Sequence, residues 1–176
     1  MPTEPFQRAL RDAYANGAAG AFVASLVWLA AAVTLHLSTV SLAFPVLFFG
    51  GMLIFPLSVL VLKFMMKRSA SAPGNIGATI VIDTIPPMIV GFFAAWLLLP
   101  HHTSLVMPVA TLAVGAHYFG FRSAYGDNAF VVLAGIVCLL ALVSALTPWL
   151  SSLLLLYLVA GTELIFGVVL LQRSAR

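Results

Sequence analysis

The chain consists largely of six apolar runs, around residues 15–36, 42–63, 77–99, 104–121, 129–147 and 150–171. Each approaches the roughly 20 residues that a helix needs to cross a hydrocarbon core about 30 Å thick. Of 176 residues, 62% are hydrophobic and 7% charged, and the mean hydropathy is +1.13. A water-soluble domain of this size needs far less apolar surface to fill its core. Backbone amides in lipid must bond one another, so the runs predict an all-α, polytopic membrane helical bundle with six transmembrane helices. Residues 15–176 read as one six-helix domain. Residues 1–14 read as a cytoplasmic interfacial helix or tail: Phe6, Leu10, Ala13 and Tyr14 fall at helical spacing opposite Gln7, Arg8, Arg11 and Asp12. Arg8 and Arg11 before an apolar run also resemble a secretory signal, but the run extends to His36, longer than a signal core. An uncleaved first span is expected.

Charge sets the orientation. Arg8 and Arg11 precede the first span; Lys63, Lys67 and Arg68 follow the second; Arg122 follows the fourth; Arg173 and Arg176 follow the sixth. The alternate connections carry no Lys or Arg, so six helices put all eight basic residues on one side. The positive-inside rule makes that side, and both termini, cytoplasmic. With the net charge of +3 dispersed over membrane flanks, no soluble basic face remains for nucleic acid. The lone Cys138 cannot form an intrachain disulfide and reads as a small packing residue.

Several residues should interrupt or join the helices. Gly50-Gly51 and Pro56 predict a kink in the second span, because proline removes a backbone donor. Pro86-Pro87 strip the carbonyls of Ile82 and Asp83 of their usual partners and predict a break in the third. Asn75 is placed to cap the third span and Asp127 the fifth. Small residues line faces suited to close helix contact: Gly17, Ala21, Ala24 and Ser25; Ala110 and Ala113 with His117; Ala160 and Gly167 with Glu163. No internal repeat is evident.

Glu163 and Asp83 are the chemically arresting positions. An ionisable group in hydrocarbon costs at least a few kcal/mol and by default marks a site or a buried pair. Counting about 1.5 Å per residue from the basic flank puts Asp83 roughly 12 Å deep, His117 roughly 8 Å and Glu163 roughly 15 Å. Similar depth suggests that Asp83, His117, Arg122 and Glu163 meet, lining a cavity open to the cytoplasm as a substrate or proton site. Tyr118, Tyr125, Pro86, Pro87 and Pro56 would support it. The competing reading is a closed charge network that fixes helix register. On the opposite side, His36, His101 and His102 form a weaker metal-site candidate, lacking any Cys or carboxylate. No P-loop, His-Glu-x-x-His motif, paired cysteines or Gly-x-Ser-x-Gly elbow is present, and no cofactor is implied.

The segments Gly115-Ala116-His117-Tyr118-Phe119 and Gly50-Gly51-Met52-Leu53-Ile54-Phe55-Pro56-Leu57 resemble a family of small, uncharacterised bacterial integral-membrane proteins. The resemblance implies a multi-pass protein of the bacterial inner membrane and transfers no activity. From the residues, the leading functional expectation is a small-solute or ion transporter, proton-linked if Glu163 or His117 changes protonation. Its partners would be the lipid bilayer, an unidentified solute or ion, and a second copy, since six spans are few for a complete carrier. A non-catalytic sensor, assembly factor or subunit is the alternative, and a membrane-embedded enzyme acting on a lipophilic substrate a further one.

Overall fold

The computed structural model describes residues 4–70 and 73–174; Arg176 lies outside them. Helix α1 (Pro5–Tyr14) leads through a 3-10 turn (Ala15–Gly17) into α2 (Ala18–Leu37), followed by α3 (Val40–Phe64), α4 (Ile76–Asp83), α5 (Ile85–Leu98), α6 (Thr103–Tyr125), α7 (Ala129–Leu146) and α8 (Ser152–Ser174). Six helical stretches are long and apolar enough to cross a membrane, α4 and α5 together forming the third. The protein is thus an all-helical, multi-pass membrane protein.

Local chemistry accounts for where these helices begin and stop. Asn75 Oδ1 accepts from the Gly77 amide at 2.8 Å, capping α4. Asp127 Oδ1 accepts from the Ala129 amide at 2.9 Å at the start of α7. Gly126, at φ +63°, ends α6 by returning its amide to the Arg122 carbonyl. The third span breaks as the prolines require: α4 ends at Asp83, and Pro86 and Pro87 lie in the first turn of α5, where their missing amides would have been unbonded anyway. In the second span α3 stays helical through Gly50-Gly51 and Pro56, so the proline expected to kink it does not end it. Pro45 and Pro56 each remove one amide donor from this 25-residue helix, and Ser58 Oγ donates to the Phe55 carbonyl at 2.7 Å.

Close approach of small residues builds the core. The stripe on α2 meets the stripe on α8: Ser25 Oγ donates to the Ala160 carbonyl at 2.8 Å, and the Phe22 ring lies over Gly167, where a Cβ would sit 2.7 Å from it. α6 and α7 touch at Gly115, where a Cβ would lie 2.7 Å from Cys138 Sγ. These four helices carry much of the buried core, whereas α3 and α5 leave most of their large side chains facing outward. Outward-facing apolar side chains suit a lipid environment.

The basic end is closed by α1, which docks on the bundle. Leu10 and Ala13 are buried. Arg11, expected on the solvent face, turns inward: its guanidinium donates to the Tyr125 and Gly126 carbonyls at 2.6 and 2.7 Å, filling orphan acceptors at the end of α6. Gln7 Nε2 donates to the Ser123 carbonyl, Asn75 Nδ2 to the Phe6 carbonyl and Arg68 Nη1 to the Asp12 carbonyl. The turn into α2 places Ala15, Asn16 and Gly17 successively at positive φ (49°, 53° and 80°). Non-glycine residues pay roughly 1–2 kcal/mol each for that conformation. Asn16 is fully buried and donates through Nδ2 to Asp127 Oδ2 at 2.8 Å. Asp127 also receives both Nε and Nη2 of Arg173 at 2.9 Å. One carboxylate therefore joins the α1–α2 turn, the start of α7 and the end of α8.

Burial works to raise the Asp127 pKa, but its bonds to Arg173, the Ala129 amide and Asn16 outweigh it and hold the carboxyl below its ordinary 3.8. The sign follows: the contribution to stability is complete above 3.8 and is lost as the pH falls through the depressed folded value. Asp127→Ala should cost about 2 kcal/mol, through the buried Asn16 amide left unpaired, and should speed hydrogen exchange in α1 at neutral pH. Gly115→Val should cost about 1–3 kcal/mol by forcing α6 from α7, measured by unfolding in detergent micelles.

Candidate functional site

Glu163 projects from α8 between Ala160 and Gly167 and is completely buried. The small neighbours admit α2 closely on this side, and Tyr118 reaches it from α6. The Tyr118 hydroxyl donates to Glu163 Oε1 at 2.5 Å, a bond buried throughout. Among the described residues Oε2 has no partner. Leaving one buried polar atom unpaired costs about 1–3 kcal/mol, more if charged, so half of this carboxyl is held at a cost to the fold. A carboxyl oxygen left free in the interior can hold a proton or meet a cation or water.

The residue beside Tyr118 faces a different partner. His117 Nδ1 lies 2.6 Å from Thr84 Oγ1, and that hydroxyl donates to the Val81 carbonyl at 2.6 Å. A hydroxyl has one proton. With it on Val81, Nδ1–H of His117 is the donor to Oγ1 and Nε2 is left as an acceptor. Thr84 is the residue between α4 and α5, so the imidazole is bound to the break in the third span. Gly120, one turn along α6, makes room: a Cβ there would collide with Thr84 Cγ2. The His117 and Tyr118 rings are 5.8 Å apart, placing the break and the buried carboxyl on either side of two consecutive α6 residues.

Toward the basic end the space is filled by rings. Tyr118 packs edge-on against Phe121 at 5.6 Å; Phe121 stacks on Tyr125 at 6.0 Å and meets Phe130 at 5.4 Å; Tyr125 stacks on Phe130 at 5.2 Å. Gly17 closes this column, with its Cβ position 3.0 Å from the Phe130 ring.

The four-residue cluster suggested by depth is only partly assembled. His117 and Glu163 flank Tyr118, but Asp83 is exposed, its carboxylate without a hydrogen bond or ion pair among the described residues. Arg122 is also exposed and bonds Asn128 Oδ1 at 2.9 Å. Tyr125 belongs to the aromatic column, while Pro56, Pro86 and Pro87 face outward. Among the described residues no three His, Cys, Asp or Glu side chains are gathered as a metal set, and His36, His101 and His102 are each exposed. Thr84 was missed by the sequence reading. Its signal was available in its place next to the proline pair, since a hydroxyl at a broken turn commonly bonds the freed backbone.

Family DUF7010, described as a family of unknown function, matches residues 3–173, and the chain belongs to it. No curated protein and no solved structure matches the chain.

Tyr118→Phe should destabilise the protein by about 2 kcal/mol, since the Glu163 carboxyl loses its only described partner. In a Glu163→Leu background the same substitution should be nearly neutral. Unfolding of the four variants in micelles measures that coupling, and equal costs in both backgrounds would show that the pair contributes nothing.

Proposed function

We propose that this member of the DUF7010 family is a small-solute or ion carrier, proton-linked through Glu163, with His117 as a second titratable group. The observation that carries the reading is the completely buried Glu163 carboxyl, with Oε2 unpartnered among the described residues. A carboxyl kept only to fix register would be satisfied at both oxygens; one that exchanges a proton or cation needs a free one. The second support is the span broken at Thr84, which bonds His117. Interrupted helices beside polar groups are a recurrent way to build carrier sites, because the freed backbone can serve a substrate or move. The filled aromatic column corresponds in this reading to an occluded arrangement, in which those rings must part before water from the basic side reaches Glu163. The reading narrows the site to Glu163, Tyr118, His117 and Thr84 and leaves Asp83 and Arg122 outside it. It includes a second copy of the chain and a bacterial inner membrane with the basic end cytoplasmic.

A second reading, a non-catalytic subunit or assembly factor, is favoured by the outward face of α3 and α5. Phe44, Phe48, Phe49, Phe92, Phe93 and Trp96 line an apolar groove there, a surface that suits another membrane helix.

Flux in proteoliposomes separates the two. With a pH gradient imposed, the carrier reading expects proton movement driven by one member of a panel of small solutes and ions. Glu163→Gln, which can still accept from Tyr118, should reduce that movement to background while leaving unfolding behaviour close to that of the parent. Flux that is absent across the panel would favour the subunit, whereas flux unchanged in Glu163→Gln would overturn the proton link through Glu163.

A further inference from the structure

The basic residues near the end of the bundle are employed unequally. Arg173 is neutralised by Asp127, and Arg11 is bonded to backbone carbonyls. Arg122, in the last turn of α6, has no carboxylate partner among the described residues, and only its Nε is engaged, by Asn128 Oδ1 at 2.9 Å. That bond aims the side chain and leaves both Nη groups available, the part of a guanidinium that binds phosphate in two-pronged fashion.

A groove of about 500 Å³ opens at this point between the end of α6 and the start of α7. Its polar members are Arg122, Ser123 and Asn128, and its apolar members are Phe119, Val131 and Val132. They are ordered along the helices. Phe119 lies about one turn inward of Arg122 and Ser123 on α6, and Val131 and Val132 about one turn inward of Asn128 on α7. Cationic and hydrogen-bonding groups thus stand at the ends of two candidate membrane spans, with apolar walls running along the spans toward their middles. A phospholipid has the same order of chemistry: an anionic headgroup followed by acyl chains. Basic pockets between spans at the positively charged face bind such headgroups.

We infer that the Arg122 groove is a binding site for an anionic phospholipid, whose phosphate meets Arg122 and Ser123 while an acyl chain lies along Phe119, Val131 and Val132. The inference is independent of the carrier reading, because the groove contains neither Glu163 nor His117. A soluble phosphate shares the headgroup chemistry but has nothing to place against the apolar walls, which is why the lipid is the favoured ligand.

The test is native mass spectrometry of the full chain, purified in detergent with equal amounts of phosphatidylglycerol and phosphatidylcholine. Phosphatidylglycerol adducts should outnumber phosphatidylcholine adducts. Arg122→Gln should cut the anionic adduct about fivefold, the worth of one basic side chain near an anionic membrane surface. Asn128→Asp keeps the guanidinium but sets a carboxylate against it, and should cause a similar loss even if Arg122→Gln fails to fold. Excess inorganic phosphate should leave the adduct in place. Undiminished phosphatidylglycerol binding in Asn128→Asp, or in a folded Arg122→Gln, would overturn the site. Displacement by inorganic phosphate would overturn its assignment to a lipid.

Discussion

Hydrocarbon offers no hydrogen bonds, so every polar group within the bilayer must find its partner in the protein, and most of the architecture follows from meeting that demand. It makes each span helical and leads the few interior side-chain hydroxyls back to carbonyls, as with Ser25 on Ala160, Thr111 on Met107 and Thr84 on Val81. It also makes the exceptions informative. Glu163 Oε2 and Asn16 Oδ1 are the buried side-chain oxygens without partners among the described residues. One lies inside the bundle at the candidate site, the other in the turn that joins α1 to the first span.

That turn shows how the basic end is held. Three successive residues in the left-handed region are costly, and only glycine adopts that conformation without strain. The bonds from Asn16 and Arg173 to Asp127 offset the cost and fasten the α1–α2 turn to α7 and α8. Because Asn16 Nδ2 and Arg173 share Oδ2 of a single carboxylate, the turn and the end of α8 are coupled: a change in one alters the electrostatic field and geometry that the other meets. The Gly17 backbone, against Phe130 and Tyr125, transmits the same constraint to the aromatic column.

Features written along one dimension were legible in the sequence. The spans, the cap at Asn75, the contact of Asp127 with the start of α7 and the break before Pro86-Pro87 all depend on near neighbours, and each lies within a few residues of its expected place. The small faces of α2 and α8 were also readable, since close approach needs only the absence of side chain. Grouping by depth was weaker because depth carries no azimuth. Successive residues of a helix differ by about 100° in direction, so Asp83 faces outward while Thr84, one residue on, meets His117. Arg11 misled for a related reason: amphipathic spacing assigns it to solvent, but the open carbonyls at the end of α6 are stronger acceptors than its helix position suggests. The pairing of Asn16 with Asp127 spans 111 residues and has no local signature. The Asn16-Gly17 pair signals a turn, but not its partner.

The arrangement around Tyr118 limits how the interior can respond to change. The phenol belongs to two systems at once, donating to Glu163 through its hydroxyl and packing against His117 and Phe121 through its ring. Rotation that frees the carboxyl therefore disturbs the head of the aromatic column, and displacement of the column from the basic end strains the only described bond to Glu163. His117, in turn, is bound to Thr84 at the one place where the third span has already surrendered its regular backbone bonds. A packed interior rearranges between discrete states instead of deforming smoothly. The break at Thr84 is where such a rearrangement sacrifices fewest backbone bonds, and Tyr118 is where it would be felt by the buried carboxyl.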